Sequence, residues 1–229
     1  MTYVISDIHG CFDKFKELLK KIRFTDNDIM YVLGDIVDYG DQPMELLCDL
    51  SMRVNVIPVL GERELKAYRL LTALDRMLAD GSMPDSDVLS EMAQWSADGG
   101  ATTITGFKEL DADMREGVLD YLSDMTLYEE VEVGSKQYLL LHAGIADFDE
   151  NTSLDDYQPE DFISEPLDLD RKYFDDVTIV AGHTPTYLVD GAQKGKIYRT
   201  DDVILVDCGA AFGESLGCIR LEDGKEFYA

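Results

Sequence analysis

The chain has 229 residues and is strongly acidic, with 20 Lys and Arg against 47 Asp and Glu and a formal net charge of −27. That charge repels the phosphate backbone of DNA and RNA, so a nucleic-acid polymer is excluded as a partner. The length suits one domain, no run of about 18 apolar residues predicts a membrane span, and the first residues contain no leader sequence, so we expect a single cytoplasmic domain over residues 1–229.

The first part of the chain predicts a βαβαβ unit. Three apolar segments rich in Val, Ile and Leu are typical of strands buried on both faces, and they span residues 2–6, 28–33 and 54–60. Between them, apolar residues at helical spacing predict a helix over residues 11–22. Pro43 begins a second helix at the first-turn position that proline favours.

The middle of the chain, residues 62–124, predicts mostly helices, and we interpret it as a helical cap insertion with a loop at Asp98-Gly99-Gly100. Trp95 is expected to pack beneath it. The acidic stretch 147–176 predicts a surface loop with short helices. Further strands are predicted over residues 127–133, 137–141, 177–181, 196–199, 203–206 and 216–221.

Acidic or imidazole side chains follow the ends of five predicted strands. They stand in Asp7-Ile8-His9, Gly34-Asp35-Ile36-Val37-Asp38, Gly61-Glu62-Arg63-Glu64, His142-Ala143-Gly144 and Gly182-His183-Thr184-Pro185. Functional groups gather at the carboxyl ends of strands in an open α/β sheet, so we expect these side chains to meet in one place. All 3 histidines of the chain lie in these motifs. Carboxylates and imidazoles together favour a metal site.

In this order the motifs resemble those of the calcineurin-like metallophosphoesterases, and they are most similar to the phosphoprotein phosphatase branch. That branch includes bacterial and viral protein Ser/Thr phosphatases and the symmetrical diadenosine tetraphosphate hydrolases. The segments 95–100 and 206–213, with Thr102 or Thr103, add to the resemblance. It implies an α/β fold, a four-layer α/β/β/α sandwich of two mixed β-sheets flanked by helices. A phosphorylated protein or small molecule is the implied substrate.

The resemblance also implies two divalent metal ions, manganese before iron or zinc, at the strand ends. Two cations about 3.5–4 Å apart can activate a water and orient a phosphoryl oxygen. By position, Asp35 bridges the ions, and the other implied ligands are Asp7 and His9 for the first ion and Glu62, His142 and His183 for the second.

Four positions depart from the family's pattern. Glu62 stands where the family has asparagine, and Arg63 replaces a histidine that protonates the leaving group. Arginine cannot cycle a proton, so general-acid catalysis, typically about 10²–10⁴-fold in rate, is lost, and we expect a salt bridge between Arg63 and Asp38 instead. Tyr39 and Glu165 stand where the family has phosphate-clamping arginines. We therefore expect Arg63, beside Tyr39, to contact the substrate phosphate.

Two functions are consistent with these residues. The first is a divergent but active dinuclear-metal phosphoesterase, with Asp38 and Arg63 as its catalytic pair and Tyr39 and Arg63 as its substrate contacts. The alternative is a catalytically impaired pseudophosphatase that acts as a binding or regulatory module. A third possibility, a structural protein without ions, predicts that no transition metal is bound. The sequence leaves the physiological substrate and the oligomeric state open.

Overall fold

A computed structural model describes every residue from Met1 to Ala229. The strands are β1 (Thr2–Ile5), β2 (Ile29–Leu33), β3 (Val56–Val59), β4 (Tyr128–Val133), β5 (Lys136–Leu141), β6 (Val177–Ala181), β7 (Tyr198–Arg199), β8 (Val203–Leu205), β9 (Gly217–Arg220) and β10 (Lys225–Tyr228). The helices are α1 (Phe12–Ile22), α2 (Pro43–Ser51), α3 (Glu62–Asp80), α4 (Ser86–Trp95), α5 (Ala101–Glu109), α6 (Ala112–Ser123) and α7 (Glu160–Ile163). A π-helical turn, Ser96–Gly100, joins α4 to α5.

The strands form two five-stranded mixed sheets, with the orders β10-β9-β1-β2-β3 and β4-β5-β6-β8-β7. In the first sheet β1, β2 and β3 are parallel, and β9 runs antiparallel to β1. In the second sheet β5, β6 and β8 are parallel. The carboxyl ends of the parallel strands therefore share one edge of each sheet, which is where loops can bring functional groups together.

Three apolar clusters separate the layers. One lies between the two sheets and includes Val4, Leu33, Leu140 and Val180. A second packs helices onto the outer face of the first sheet; its largest fully buried members include Phe15, Leu18, Met30, Leu46, Leu47 and Phe107. A third covers the outer face of the second sheet. The result is the predicted α/β sandwich of two mixed sheets, so the fold class is confirmed.

The loop 147–176 forms most of the outer layer on the second sheet. Its short helical pieces are a 3-10 turn, Leu154–Asp156, and α7, as predicted for this acidic stretch. Phe148, Phe162 and Tyr173 are buried against the sheet. The loop is therefore solvated through its acidic side chains and anchored through its aromatic ones.

Two strands differ from the sequence-based prediction. Strand β3 lies at the sheet edge, so Ile57 and Pro58 are half-buried rather than buried on both faces. An edge position also accommodates the missing N–H of proline. Strand β10 was not predicted, because its charged residues Lys225 and Glu226 mask the strand pattern, as is common at sheet edges.

The segment 62–124 is helical, as predicted, and α3 begins at the carboxyl end of the first sheet. Apolar residues from α3, α5 and α6 join the same cluster as those of α1 and α2, so these helices continue one layer. The interpretation of the segment as a cap insertion stays a prediction. None of the helices combines the length and the apolarity needed to cross a membrane.

Gly117 offers a test of the helical layer. It lies exposed within α6, and a methyl group added there would meet nothing within 4 Å. Gly117→Ala should raise the free energy of unfolding by roughly 0.5–1 kcal/mol, because glycine in a helix interior costs about that much relative to alanine. Urea denaturation measures the change. The matched control is Gly81→Ala: Gly81 ends α3 at φ +73°, so alanine there should destabilise the protein instead.

Candidate metal centre

Loops at the strand ends bring the predicted carboxylates and imidazoles together. Asp7 and His9 follow β1, Asp35 follows β2, and the other two histidines follow β5 and β6. Backbone hydrogen bonds couple the first two loops: the His9 N–H donates to the Asp35 carbonyl oxygen at 2.9 Å, and the Gly10 N–H donates to Ile36 at 2.7 Å.

Asp35 lies at the centre of the site. One carboxylate oxygen is 3.7 Å from His9 Nε2, and the other is 3.5 Å from His142 Nε2. The ligand atoms form two groups, each within 4.8 Å: Asp7, His9 and Asp35, and Asp35, His142 and His183. Since Asp35 belongs to both, the geometry accommodates two cations that share one carboxylate.

The imidazoles are oriented as ligands. His9 Nδ1 lies 3.0 Å from the Val37 carbonyl oxygen, and His142 Nδ1 lies 2.8 Å from that of Leu33. A carbonyl oxygen only accepts hydrogen bonds, so Nδ1 carries the hydrogen and Nε2 presents its lone pair to the site. His142 Nε2 is buried and has no hydrogen-bond partner. Burial and the neighbouring His142 lower the pKa of His183, which favours the neutral form that binds metal.

Four buried carboxyl groups lie close together at the site: Asp7, Asp35, Glu64 and Asp207. Burial, Asp207 and Asp35 raise the pKa of Asp7 well above its usual range. Burial, opposed by a hydrogen bond from the Gly209 N–H, raises the pKa of Asp207 to about 7. A nearby positive charge stabilises the ionised form of such buried carboxyl groups. The donor set therefore fits divalent cations, which prefer carboxylate and imidazole ligands.

Glu64 was not assigned a role from the sequence, yet it organises the loop after β2. The side chain is fully buried, and its two oxygens accept hydrogen bonds from the backbone N–H groups of Asp35, Ile36 and Val37 at 2.7, 2.8 and 3.1 Å. Burial and the charge of Asp35 raise the pKa of Glu64 to about 8, although the three hydrogen bonds from the backbone act to lower it. Glu64 lies three residues before Ala67, which is also buried in α3, and this helical spacing could have indicated from the sequence that Glu64 faces the interior.

Asp207 was likewise not assigned as a site residue. It follows the apolar run that contains β8, and so stands at the end of another parallel strand. The strand-end rule that identified the other side chains could have found it. It is only 3% exposed and accepts a hydrogen bond from the Gly209 N–H at 2.8 Å.

Asp38 lies beside this centre in a buried hydrogen-bond network. One oxygen accepts from Trp95 Nε1 at 2.8 Å, and the other accepts from the Thr103 hydroxyl at 2.7 Å. Arg63 Nη1 is 3.7 Å from Asp38 Oδ2, an ion pair without a hydrogen bond. The segment 95–100 that carried the family resemblance thus holds Asp38 in place. Trp95 packs in the core, as expected, and also donates this bond.

Arg63 makes its close contacts elsewhere. Nη1 donates to Asp98 Oδ2 at 2.9 Å, and Nη2 donates to the Tyr39 hydroxyl at 2.6 Å. Its backbone N–H donates to Asp35 Oδ1 at 3.0 Å, which orients the central carboxylate. The guanidinium also lies 4.9 Å from the centroid of the Tyr39 ring. Arg63 and Tyr39 therefore form one unit at the edge of the site.

Glu62 lies at the start of α3, outside both groups of converging ligand atoms. Its carboxylate is 35% exposed and pairs with Lys66 at 3.4 Å. The negative charge of Glu62 still acts on His183: it raises the pKa of that histidine, against the larger effects that lower it. Glu165 is exposed in the loop after α7.

Backbone strain concentrates at this centre. Eight residues other than glycine have positive φ, and six of them are Asp7, His9, Asp35, Asp38, Tyr39 and His183. Such conformations cost of order 1–3 kcal/mol each and persist only where the surrounding structure enforces them. Gly34 has φ +69°, and a methyl group there would lie 2.7 Å from His142 Nδ1. The strained, tightly packed loops thus coincide with the residues that carry the candidate metal ligands.

A model of the calcineurin-like phosphoesterase family matches residues 2–209. The chain belongs to that family. Its members are metal-dependent hydrolases, in agreement with the converging ligand groups described above. A relative from Actinobacillus succinogenes, named bis(5'-nucleosyl)-tetraphosphatase, symmetrical, is 25% identical over 272 residues, which cover 99% of this chain and 95% of that protein. A relative of the same name from Haemophilus influenzae is 37% identical over 76 residues, only 27% of its own length.

Solved structures share the fold. A proposed diadenosine tetraphosphatase superposes with a TM-score of 0.64 at 18% identity, covering 100% of this chain and 92% of that one. A protein serine/threonine phosphatase from Saccharomyces cerevisiae gives a TM-score of 0.61 at 15% identity, covering 100% of this chain and 79% of that one. At these identities the phosphoesterase shares architecture with both, and its substrate is a separate question.

Glu64 provides a prediction for this centre. Glu64→Gln places an amide NH₂ against a backbone N–H, so one buried donor loses its acceptor. We expect the free energy of unfolding to fall by roughly 1–3 kcal/mol, measured by urea denaturation in the presence of a chelator. Glu62→Gln, a half-exposed neighbour in the same turn, is the control and should change it by less than about 0.5 kcal/mol. Equal effects would show that Glu64 does not anchor the loop.

Proposed function

We propose that this phosphoesterase hydrolyses phosphoanhydride or activated phosphoester bonds of nucleotide-type substrates, with two divalent cations and without a histidine general acid. The observation that carries the proposal is the pair of ligand groups sharing Asp35, with the unpartnered His142 Nε2 directed into the site. Asp7, His9 and Asp35 would hold one ion, and Asp35, His142 and His183 the other, with Glu62 as a further ligand of the second. Such ions, manganese first, supply Lewis acidity and lower the pKa of a bound water.

The protein's own residues orient the reaction. The Asp35 carboxylate is fixed by the Arg63 N–H, and its loop is fixed by Glu64. His9 and His142 are held in the ligating tautomer by carbonyl oxygens. The Arg63 guanidinium, at the edge of the site with the Tyr39 hydroxyl, binds the substrate phosphate, for which its planar donors are suited. Asp38 acts through its charge on Arg63.

The absence of a proton donor at residue 63 restricts the leaving group. Burial lowers the pKa of Arg63, but the hydrogen bond with Asp98 raises it, and the net effect is a raised pKa. The guanidinium therefore remains a cation throughout catalysis. A serine or threonine alkoxide leaves poorly without a proton. The oxygen of a nucleoside diphosphate is far less basic and leaves without protonation. Loss of histidine therefore favours anhydrides over phosphoproteins.

The relatives support the same class of substrate. The protein from Actinobacillus succinogenes, aligned over 99% of this chain, is named for the symmetrical hydrolysis of bis(5'-nucleosyl) tetraphosphates. Such compounds contain internal anhydride bonds and carry several negative charges. Because the chain has a net charge of −27, the cations of the site and Arg63 would provide the local attraction that the rest of the surface lacks.

A non-catalytic binding module is the second candidate. The observation that favours it is the engagement of Arg63 by Asp98 and Tyr39, in which both Nη atoms already donate hydrogen bonds. Such a protein would bind the cations and a phosphate without turnover.

Asp35→Asn separates a dinuclear site from other arrangements. The amide keeps the shape of Asp35 but removes the charge shared by both ions, so we expect the manganese content to fall from about two ions per chain towards zero or one. Hydrolysis of diadenosine tetraphosphate should fall at least about 100-fold with it. Elemental analysis after gel filtration and a nucleotide assay measure the two effects. Asp113→Asn, an exposed change of equal charge in α6, should alter neither.

Arg63→His tests the leaving-group argument. A histidine beside Asp38 can donate a proton, so turnover of a phosphoserine peptide should rise by about tenfold or more relative to p-nitrophenyl phosphate, whose leaving group needs no proton. The ratio of kcat/KM for the two substrates measures this. If the ratio stays constant, residue 63 does not act on the leaving group. If no variant turns over any substrate while manganese is bound, the binding module is the correct function.

A further inference from the structure

Arg63 has an internal anionic partner. Its Nη1 donates to the Asp98 carboxylate at 2.9 Å and to the Asp98 carbonyl oxygen at 3.2 Å, and Nη2 donates to Tyr39 at 2.6 Å. Nε is buried and has no partner. A phosphoryl group that reaches Arg63 must therefore share the guanidinium with Asp98 or displace it.

The turn Ser96–Gly100 fixes Asp98 in this position. Asp98 and Gly99 have non-helical backbone angles, with φ −100° and +91°, and they break the path from α4 to α5. The Gly99 carbonyl oxygen accepts a hydrogen bond from the Tyr39 N–H at 2.9 Å. A methyl group on Gly99 would lie 2.6 Å from the Tyr39 ring. The turn is thus fitted to Tyr39, and it aims the carboxylate at Arg63.

Asp98 is charged and has room to move. The hydrogen bond from Arg63 holds the pKa of Asp98 below its usual range. The side chain is 60% exposed, whereas that of Arg63 is 13% exposed. A cavity of about 220 Å³ adjoins Asp98, and Lys66 lines it. A carboxylate displaced from Arg63 can therefore turn towards a second cation within the same cavity.

We propose that Asp98 sets the charge specificity of the site: it disfavours dianionic terminal phosphate monoesters and admits singly charged phosphoryl groups, as in diesters and internal anhydrides. This inference rests on the proposed function, because it assumes that the substrate phosphate reaches Arg63. The reason is electrostatic. Both kinds of group meet the Asp98 carboxylate, but the dianion carries one more negative charge at a separation of a few ångströms. At the edge of a protein such a charge changes binding by about tenfold.

Two chromogenic substrates with the same leaving group test the proposal. In manganese at pH 8, bis(p-nitrophenyl) phosphate carries one negative charge and p-nitrophenyl phosphate carries two. Asp98→Asn should raise kcat/KM for the diester about tenfold and for the monoester about 100-fold, because the repulsion scales with the charge of the substrate, so the ratio of diester to monoester falls about tenfold. Asp113→Asn, which changes the net charge equally but lies exposed on α6, should leave the ratio unchanged.

A structural role for Asp98 gives a different result. If Asp98 only holds Arg63 in place, Asp98→Ala lowers kcat/KM for both substrates by a similar factor, and the proposal is wrong. If Asp98 sets charge specificity, Asp98→Ala raises the monoester at least as much as Asp98→Asn, because the competing acceptor is gone. An unchanged ratio in both variants also overturns it.

Binding of inorganic phosphate decides the matter without turnover. The chain has 1 tryptophan, Trp95, which precedes the turn and donates to Asp38, so its fluorescence reports on this site. In the manganese-loaded protein at pH 8, where phosphate is mainly a dianion, Asp98→Asn should tighten phosphate binding about 100-fold, and adding Arg63→Met should remove the gain. Tightening with no hydrolysis by any variant would sink the proposed function and leave this inference standing. Hydrolysis with unchanged phosphate affinity would overturn this inference alone.

Discussion

The rest of the structure depends on the burial of several carboxyl groups close together at the ends of the parallel strands. Asp7, Asp35, Glu64 and Asp207 all lie in the interior of a protein that is already strongly acidic. Buried carboxylates are costly unless they are hydrogen-bonded, protonated or paired with cations. Backbone N–H groups satisfy Glu64. Asp7 and Asp35 lie beside imidazoles whose lone pairs point inward, so divalent cations are the partners that the arrangement best accommodates.

Strained backbone at the ends of parallel strands brings these side chains together. Both sheets direct parallel strands to one edge, and the loops there turn sharply through left-handed residues such as Asp7, Asp35 and His183. Hydrogen bonds from one loop to the next, such as that from the His183 N–H to Asp7 at 2.9 Å, hold these conformations. The well-packed apolar layers on both sides of the first sheet stabilise the fold and offset the free-energy cost of these strained loops.

Two of the four departures from the family pattern, Arg63 and Tyr39, form one connected unit with Asp98. Arg63, Tyr39 and Asp98 contact one another, and Asp38 lies behind them in a network with Trp95. In the proposed function, the fixed cation Arg63 cannot perform the proton transfer of the family's histidine and instead serves as an anion-binding group. An internal carboxylate then balances that group. The proposed function therefore combines a metal centre with an edge at which Arg63 and Asp98 act on the substrate through their charges.

The sequence by itself determined the βαβαβ start, most strand positions and the convergence of Asp7, His9, Asp35, His142 and His183, because periodicity and strand-end motifs are local signals. The two-sheet architecture was implied only by the family resemblance that those motifs carry. The sequence did not reveal Glu64 as the anchor of a distant loop, or the choice of Asp98 over Asp38 as the close partner of Arg63. Those depend on how α3 and the turn after α4 lie against the first sheet. Contacts between segments far apart in the chain are set by packing, and only the tertiary structure decides them.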